Sequence, residues 1–317
     1  MPWRRRFQVT VCGKKGVVQV SSKIWIKESF GDRLFLGAIY VFLCCIMIVV
    51  LYPLIYIISA SISSPEAVTS GRVWLWPVDF SLQGYIEVLT NSDVIRGFRN
   101  SILYTIGYTI ISVVLTVVFA YPLSRKSFYG RTFFMFFILF TMLFYGGLIP
   151  EYLVVQKLGM LDTPWAILLP KAMAVWQVII ARTFFQSSVP DELVEASEMD
   201  GCSSLKFLWY VVLPLSKPII AVLALMYAVF QWNSYFDAMI FLKSEELFPL
   251  QLELRELLIV QSDSGANMDI AEQQRREQLA NLMRYSLIVI SSLPVLMIYP
   301  FAQKYFVKGM LIGSVKG

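Results

Sequence analysis

Apolar residues in this chain come in long, nearly charge-free runs divided by short polar stretches, a pattern unlike the alternation of a half-buried strand or the single stripe of a surface helix. A helix that crosses a membrane needs roughly 20 such residues at a rise of about 1.5 Å each. Six runs reach or approach that length, at residues 34–60, 100–124, 132–150, 163–181, 218–242 and 285–303, and only Lys171 and Asp237 interrupt them with charge. The pattern predicts an all-α, polytopic membrane protein. A cleaved signal peptide is a poor reading of the first run, which begins after 33 residues and is too long for a signal's apolar region.

Composition agrees with the pattern. Of 317 residues, 57% are hydrophobic and 15% charged, against about 25% charged in a typical soluble domain. The net charge of +5 resides in basic clusters beside the apolar runs, where it sets topology, so a nucleic-acid-binding role falls away. Histidine is absent, which excludes Ser-His-Asp and Cys-His nucleophile systems, HExxH metal sites and histidine proton relays. The four cysteines, Cys12, Cys44, Cys45 and Cys202, form no CxxC pair and read as packing residues. No GxxxxGK[ST] motif occurs, so ATP-driven work requires a partner that binds the nucleotide.

Lysine and arginine fix an expected orientation. Loops on the side of the N-terminus carry 17 of them and the opposite loops 9, which places both termini in the cytoplasm by the positive-inside rule. The external segment 243–284 is long and polar, with eight acids, and contains two stretches, QLELRELLIV and IAEQQRREQLANLMR, that fit short amphipathic helices outside the membrane. It is either a docking surface or a solvated connector. No internal repeat is visible, so the inverted-repeat mark of many secondary transporters is missing.

The cytoplasmic segment 187–218 reads as helix, turn, helix. Ser187 or Ser188 is a candidate cap, Pro190 suits the first turn, and Asp191 and Glu192 place negative charge at the positive end of the helix dipole. Gly201 supplies a left-handed C-terminal stop. Ser203 or Ser204 caps a second helix whose Leu205, Phe207, Leu208 and Val211 are expected to lie against the membrane domain until Pro214 ends it, and Pro218 starts the fifth span. Taken alone, Glu195, Glu198 and Asp200 fit either a solvated surface helix or a rigid acidic knob offered to a cytoplasmic partner.

The order Glu195, Ala196, Ser197, Asp200, Gly201, Phe207, Pro214, Pro218 resembles the EAA loop of ATP-binding-cassette importer permeases, written EAAxxDG, then Phe, then Pro-Leu-x-x-Pro. Ser197 stands for the second Ala and Cys202 for a common Ala, both small for small. Stretches at 144–170, 231–242 and 304–317 are similar to the carbohydrate-importer branch, whose members include the maltose permease and its oligo- and polysaccharide relatives. The resemblance implies a type I importer fold with a coupling helix seated in a cleft of an ATPase. The implied partners are two ATPase subunits carrying ATP and magnesium, a second, related permease chain and an extracellular or periplasmic sugar-binding protein. No cofactor or metal is implied on this chain itself. It implies a bacterial cytoplasmic membrane location and contacts from the C-terminal tail, with Lys308, Gly309, Gly313, Lys316 and Gly317 as candidates. Segment 1–33 is then a cytoplasmic lead-in whose first 22 residues have no counterpart in the family, 34–303 the transmembrane domain, and 304–317 the tail.

Sugars are gripped by aromatic faces and polar side chains, which makes Trp176, Gln177, Trp232, Asn233 and Tyr235 candidates for a substrate pathway. Their competing role is interfacial anchoring or interhelical hydrogen bonding. Lys171, inside the fourth run, either snorkels outward or faces a cavity, and Asp237 is expected at the interface. An ion-coupled carrier acting alone is the alternative to the importer, but it calls for several intramembrane acids or broken repeats; an intramembrane enzyme lacks its acid–base groups.

Overall fold

The computed structural model describes residues 9–13, 16–20, 29–259 and 270–314, with side chains over 29–256 and 278–300. Two compact units divide the chain, Met1–Ile55 and Tyr56–Gly317. In the first, strands β1 (Val9–Gly13) and β2 (Gly16–Val20) pair antiparallel, with Val9 opposite Val20 and Cys12 opposite Val17. Val9 and Val11 stand opposite Val20 and Val18, β-branched residues that favour a strand. Most of helix α1 (Phe30–Ser61) belongs to the same unit, and its apolar side chains, Cys44 and Cys45 included, are exposed. Of the cysteines with described side chains, only Cys202 packs against the core.

The second unit opens with α2 (Pro65–Thr69) and α3 (Gln83–Thr90), then α4 (Ser92–Ser124), α5 (Arg131–Leu143) and α6 (Leu148–Lys157). After α7 (Trp165–Leu168) and α8 (Val175–Ser188) come α9 (Asp191–Met199), α10 (Ser204–Phe207), a π-helical turn at Leu208–Val212 and α11 (Leu213–Leu215). The chain continues through α12 (Lys217–Trp232), α13 (Phe236–Phe241), α14 (Leu250–Ile259) and α15 (Ile270–Ser314).

Helix α4 is the axis of this unit and packs against α8, α12 and α14. Asn91 caps it by accepting the amide hydrogens of Asp93 and Val94 at 2.9 and 3.2 Å, and Asp93 adds negative charge to the first turn. Between α4 and α12, Thr116 and Tyr227 share a buried 2.6 Å hydrogen bond, and Tyr108 stands edge-on to Tyr227 with ring centroids 5.9 Å apart. Gly97 allows α14 to approach α4, because a Cβ there would sit 2.9 Å from Cγ of Glu253.

Three described helices are long and apolar enough to cross a membrane, and two bent helix pairs bring the count to five among the described residues. The run at 132–150 stops being one helix at Leu143 and bends by 114° into α6. The run at 163–181 is also broken. Pro170 has no amide hydrogen to extend the helical ladder, and residues 169–174 are irregular between α7 and α8. At the other end of the chain, the stretch expected as a separate short helix before the last span is continuous with it. Helix α15 has 45 residues, about 68 Å at 1.5 Å per residue, well beyond a hydrocarbon core of about 30 Å.

Candidate functional site

Helix α9 begins at Asp191 behind Pro190, so neither serine caps it; Ser187 belongs to α8, where its hydroxyl donates to the carbonyl of Phe184. Asp191 and Glu192 occupy the first turn. The far end closes in a Schellman arrangement, with Gly201 N donating to Glu198 O at 3.0 Å and Cys202 N to Ser197 O at 2.9 Å. Gly201 takes φ +68° there, and nothing lies within 4 Å of where its Cβ would be. Glu192, Glu195, Ala196, Glu198 and Asp200 are all exposed, and Met199 is 88% exposed at the tip. The helix therefore presents a small apolar tip ringed with carboxylates.

This knob is tied to the body of the unit. The buried Arg125, just past α4, donates from Nη1 to the carbonyl of Val189 at 3.2 Å and stacks over the Tyr121 ring at 5.1 Å. Lys126 reaches Asp191 at 2.9 Å, and that hydrogen bond, followed by the charges of Lys126 and Arg125, lowers the Asp191 pKa. Between exposed partners such a pair contributes little to stability, so the buried guanidinium is the stronger tie. These ties leave no local mark on the chain, since partners 64 and 65 residues apart share no pattern.

Behind the turn, Ser203 Oγ accepts from Lys206 N at 3.5 Å and starts α10. Phe207, Leu208 and Val212 are buried and Val211 packs beside them, whereas Leu205 is 72% exposed, contrary to the expected inward face. Pro214 lies one residue before the end of this composite helix at Leu215, close to the expected stop. Phe207 and Val212 belong to the same core as Val178 of α8 and Leu223 of α12.

At the other end of the unit, Lys171 is ion-paired and lines a cavity. Its Nζ lies 2.5 Å from Oδ1 of Asp237 and 3.9 Å from Oε1 of Glu151. Asp237 is buried, and this ion pair compensates its charge. Tyr145 hydrogen-bonds Glu151, and Tyr145, Glu151 and Lys171 line an open cavity of 530 Å³. Asp162, half-buried and at φ +56°, accepts from the hydroxyl and amide of Ser244 and the amide of Lys243, which lower its pKa.

The remaining aromatic and polar candidates do not converge. Trp176 is exposed and Gln177 half-buried on α8. Trp232 is buried, donating from Nε1 to the carbonyl of Ser291 at 2.9 Å with Phe98 edge-on to it. Asn233 returns its amide to the Val229 carbonyl at 2.8 Å, and Tyr235 is exposed. Lys308, Gly309 and Gly313 fall on the backbone of α15 with side chains outside the described residues, where Lys316 and Gly317 also lie.

Comparison with known proteins bears on both ends of the unit. The family described as binding-protein-dependent transport system inner membrane component matches residues 26–248. The chain is 40% identical over 287 residues to the polygalacturonan/rhamnogalacturonan transport system permease protein YtcP of Bacillus subtilis (strain 168), covering 90% of this chain and 99% of that protein. It is 39% identical over 269 residues to Protein LplC of the same organism, covering 85% and 90%. Among solved structures, a bacterial ABC transporter involved in the import of the acidic polysaccharide alginate superposes with a TM-score of 0.81 at 38% identity, over 89% of this chain and 100% of the matched one.

Proposed function

Because the chain belongs to the binding-protein-dependent transport system inner membrane component family, we propose that it is the permease subunit through which an ATP-driven importer moves an acidic oligosaccharide across the cytoplasmic membrane. It works by alternating access beside a second, related permease chain. A binding protein delivers the sugar outside, and two ATPase subunits, holding ATP and magnesium, supply the work inside. Six crossings with both termini cytoplasmic fit the 17-to-9 distribution of basic residues.

The observation that carries the proposal is α9: an acidic knob closed by Gly201, anchored through Arg125, and continuous through Phe207 and Val212 with the core shared by α8 and α12. When the ATPases close on nucleotide, force on this knob passes into a tightly packed interior, which transmits displacement instead of absorbing it. Glu195 and Asp200 offer charge-assisted contacts, Ala196 and Ser197 keep the surface low enough for a cleft, and Phe207 and Pro214 fix the return path. The sugar class follows from relatives whose names specify polygalacturonan, rhamnogalacturonan and the acidic polysaccharide alginate. Lys171, Trp176, Gln177, Trp232, Asn233 and Tyr235 stand as pathway candidates, and the tail residues Lys308, Gly309, Gly313 and Lys316 as ATPase contacts.

A thiol introduced by Glu195→Cys tests the assignment. In the full assembly it is expected to crosslink to the ATPase subunit and to react with a membrane-impermeant reagent only from the cytoplasmic side. Reaction only from outside, or crosslinking solely to the sugar-binding protein, would refute the coupling role and the orientation together.

A further inference from the structure

The segment that follows α9 differs from it in chemistry. From Gly201 to Lys217 there is no acidic residue, and the two charges are Lys206 and Lys217. The composite helix Ser204–Leu215 meets α12 at 82°. If α12 crosses the bilayer, a helix at right angles to its end lies along the membrane plane, at the level of the headgroups.

The two sides of this helix are unlike. Phe207, Leu208 and Val212 are buried in the core of the unit. The opposite side exposes Leu205 by 72%, Trp209 by 68%, Tyr210 by 79% and Leu215 by 48%. The π-helical turn at Leu208–Val212 widens the spacing, so that the adjacent Trp209 and Tyr210 both point outward. Leu205, Lys206, Trp209 and Tyr210 form a shallow groove on that side. Tryptophan and tyrosine favour the membrane–water boundary, where the ring is apolar and the N–H or O–H stays wet, and lysine there reaches the phosphates.

We propose that the helix Ser204–Leu215 is an interfacial anchor that binds the cytoplasmic leaflet, with Leu205, Trp209, Tyr210 and Leu215 at the acyl boundary and Lys206 and Lys217 on anionic headgroups. The inference rests on the cytoplasmic placement of this loop given above. Charge selects the occupant: the absence of acids suits a negatively charged lipid surface, while the acid-ringed α9 immediately before it suits a protein. The anchor holds the plane of the second helix against the bilayer, so that displacement of α9 tilts α12 and is not dissipated by swinging the whole loop.

The test places a photoreactive benzoylphenylalanine at Trp209 or Tyr210 in the complete assembly, in vesicles of phosphatidylethanolamine and isotopically labelled phosphatidylglycerol. Both positions are expected to give labelled lipid as the main adduct, and the yield is expected to fall at least twofold in Lys206→Gln or when equally labelled phosphatidylcholine replaces the anionic lipid. The same probe at Glu195 reports the coupling role separately, through an adduct with the ATPase. Adducts at both aromatic positions with the second permease chain or the ATPase, or no lipid adduct at either, would overturn the anchor. A missing ATPase adduct at Glu195 with lipid adducts intact would leave the anchor standing and remove the coupling assignment instead.

Discussion

Gly201 concentrates the behaviour of the cytoplasmic loop in one backbone angle. Its φ of +68° is open to glycine, and since no atom lies within 4 Å of a would-be Cβ, a substitution is penalised by the backbone alone. A β-branched side chain in that conformation costs roughly 1–2 kcal/mol or more. Gly201→Val is expected to reopen the Schellman turn and reduce transport at least tenfold while the chain is still inserted at normal levels, with Gly201→Asn close to wild type; vesicle uptake and membrane quantification check both. Glu253 is the second residue with a sharp expectation. Burial, followed by the charges of Asp93 and Glu256, raises its pKa to about 7 from 4.5. An acid whose pKa is raised on folding binds more protons folded than unfolded between those values, so stability falls as pH rises from about 4.5 through 7, by on the order of 2–3 kcal/mol in all. Glu253→Gln is therefore expected to flatten that slope, raising the unfolding temperature of the solubilised assembly at pH 8 and leaving it nearly unchanged at pH 5.

At the scale of elements, sequence reading succeeded where the signal is local. The turn at Gly201 and the cap at Ser203 are fixed by backbone angle and one short side chain, and both stand as expected. The runs at 132–150 and 163–181 mark apolar segments correctly but cannot show direction, because hydropathy measures length and not bending. The break after Leu143 coincides with Gly146 and Gly147, and that after Leu168 with Pro170, so residue-level cues to both existed inside the runs. Pro214 marks the end of the second helix to within one residue, at Leu215. Pairings between distant elements were invisible: Lys171, in the break before α8, and Asp237, on α13, are 66 positions apart. Their pair yields a further prediction. Lys171→Met leaves a buried carboxylate without its cation and is expected to destabilise the assembly by about 1–3 kcal/mol, less than a fully enclosed pair because Lys171 is partly exposed. Asp237→Asn in the same chain is expected to restore most of that loss, and a double-mutant cycle on unfolding temperature measures it.

Across the whole molecule, the described residues carry two charged features with different neighbours. On one side, Lys171 and Glu151 border the 530 Å³ cavity, and Asp237 pairs with Lys171. On the other, α9 presents its acids and is tied through Arg125, Phe207 and Val212 to helices that continue toward the first. The coupling role proposed for the knob fits a member of this family that has neither histidine nor a nucleotide-binding loop of its own. The decisive measurement is made on reconstituted vesicles containing the full assembly, where ATP hydrolysis and sugar uptake are followed together with and without loaded binding protein. Glu195→Ala combined with Asp200→Ala is expected to insert and assemble, yet to lose uptake by at least tenfold and to lose the stimulation of hydrolysis by loaded binding protein. Wild-type uptake together with wild-type stimulation in that double variant would contradict the coupling role of α9.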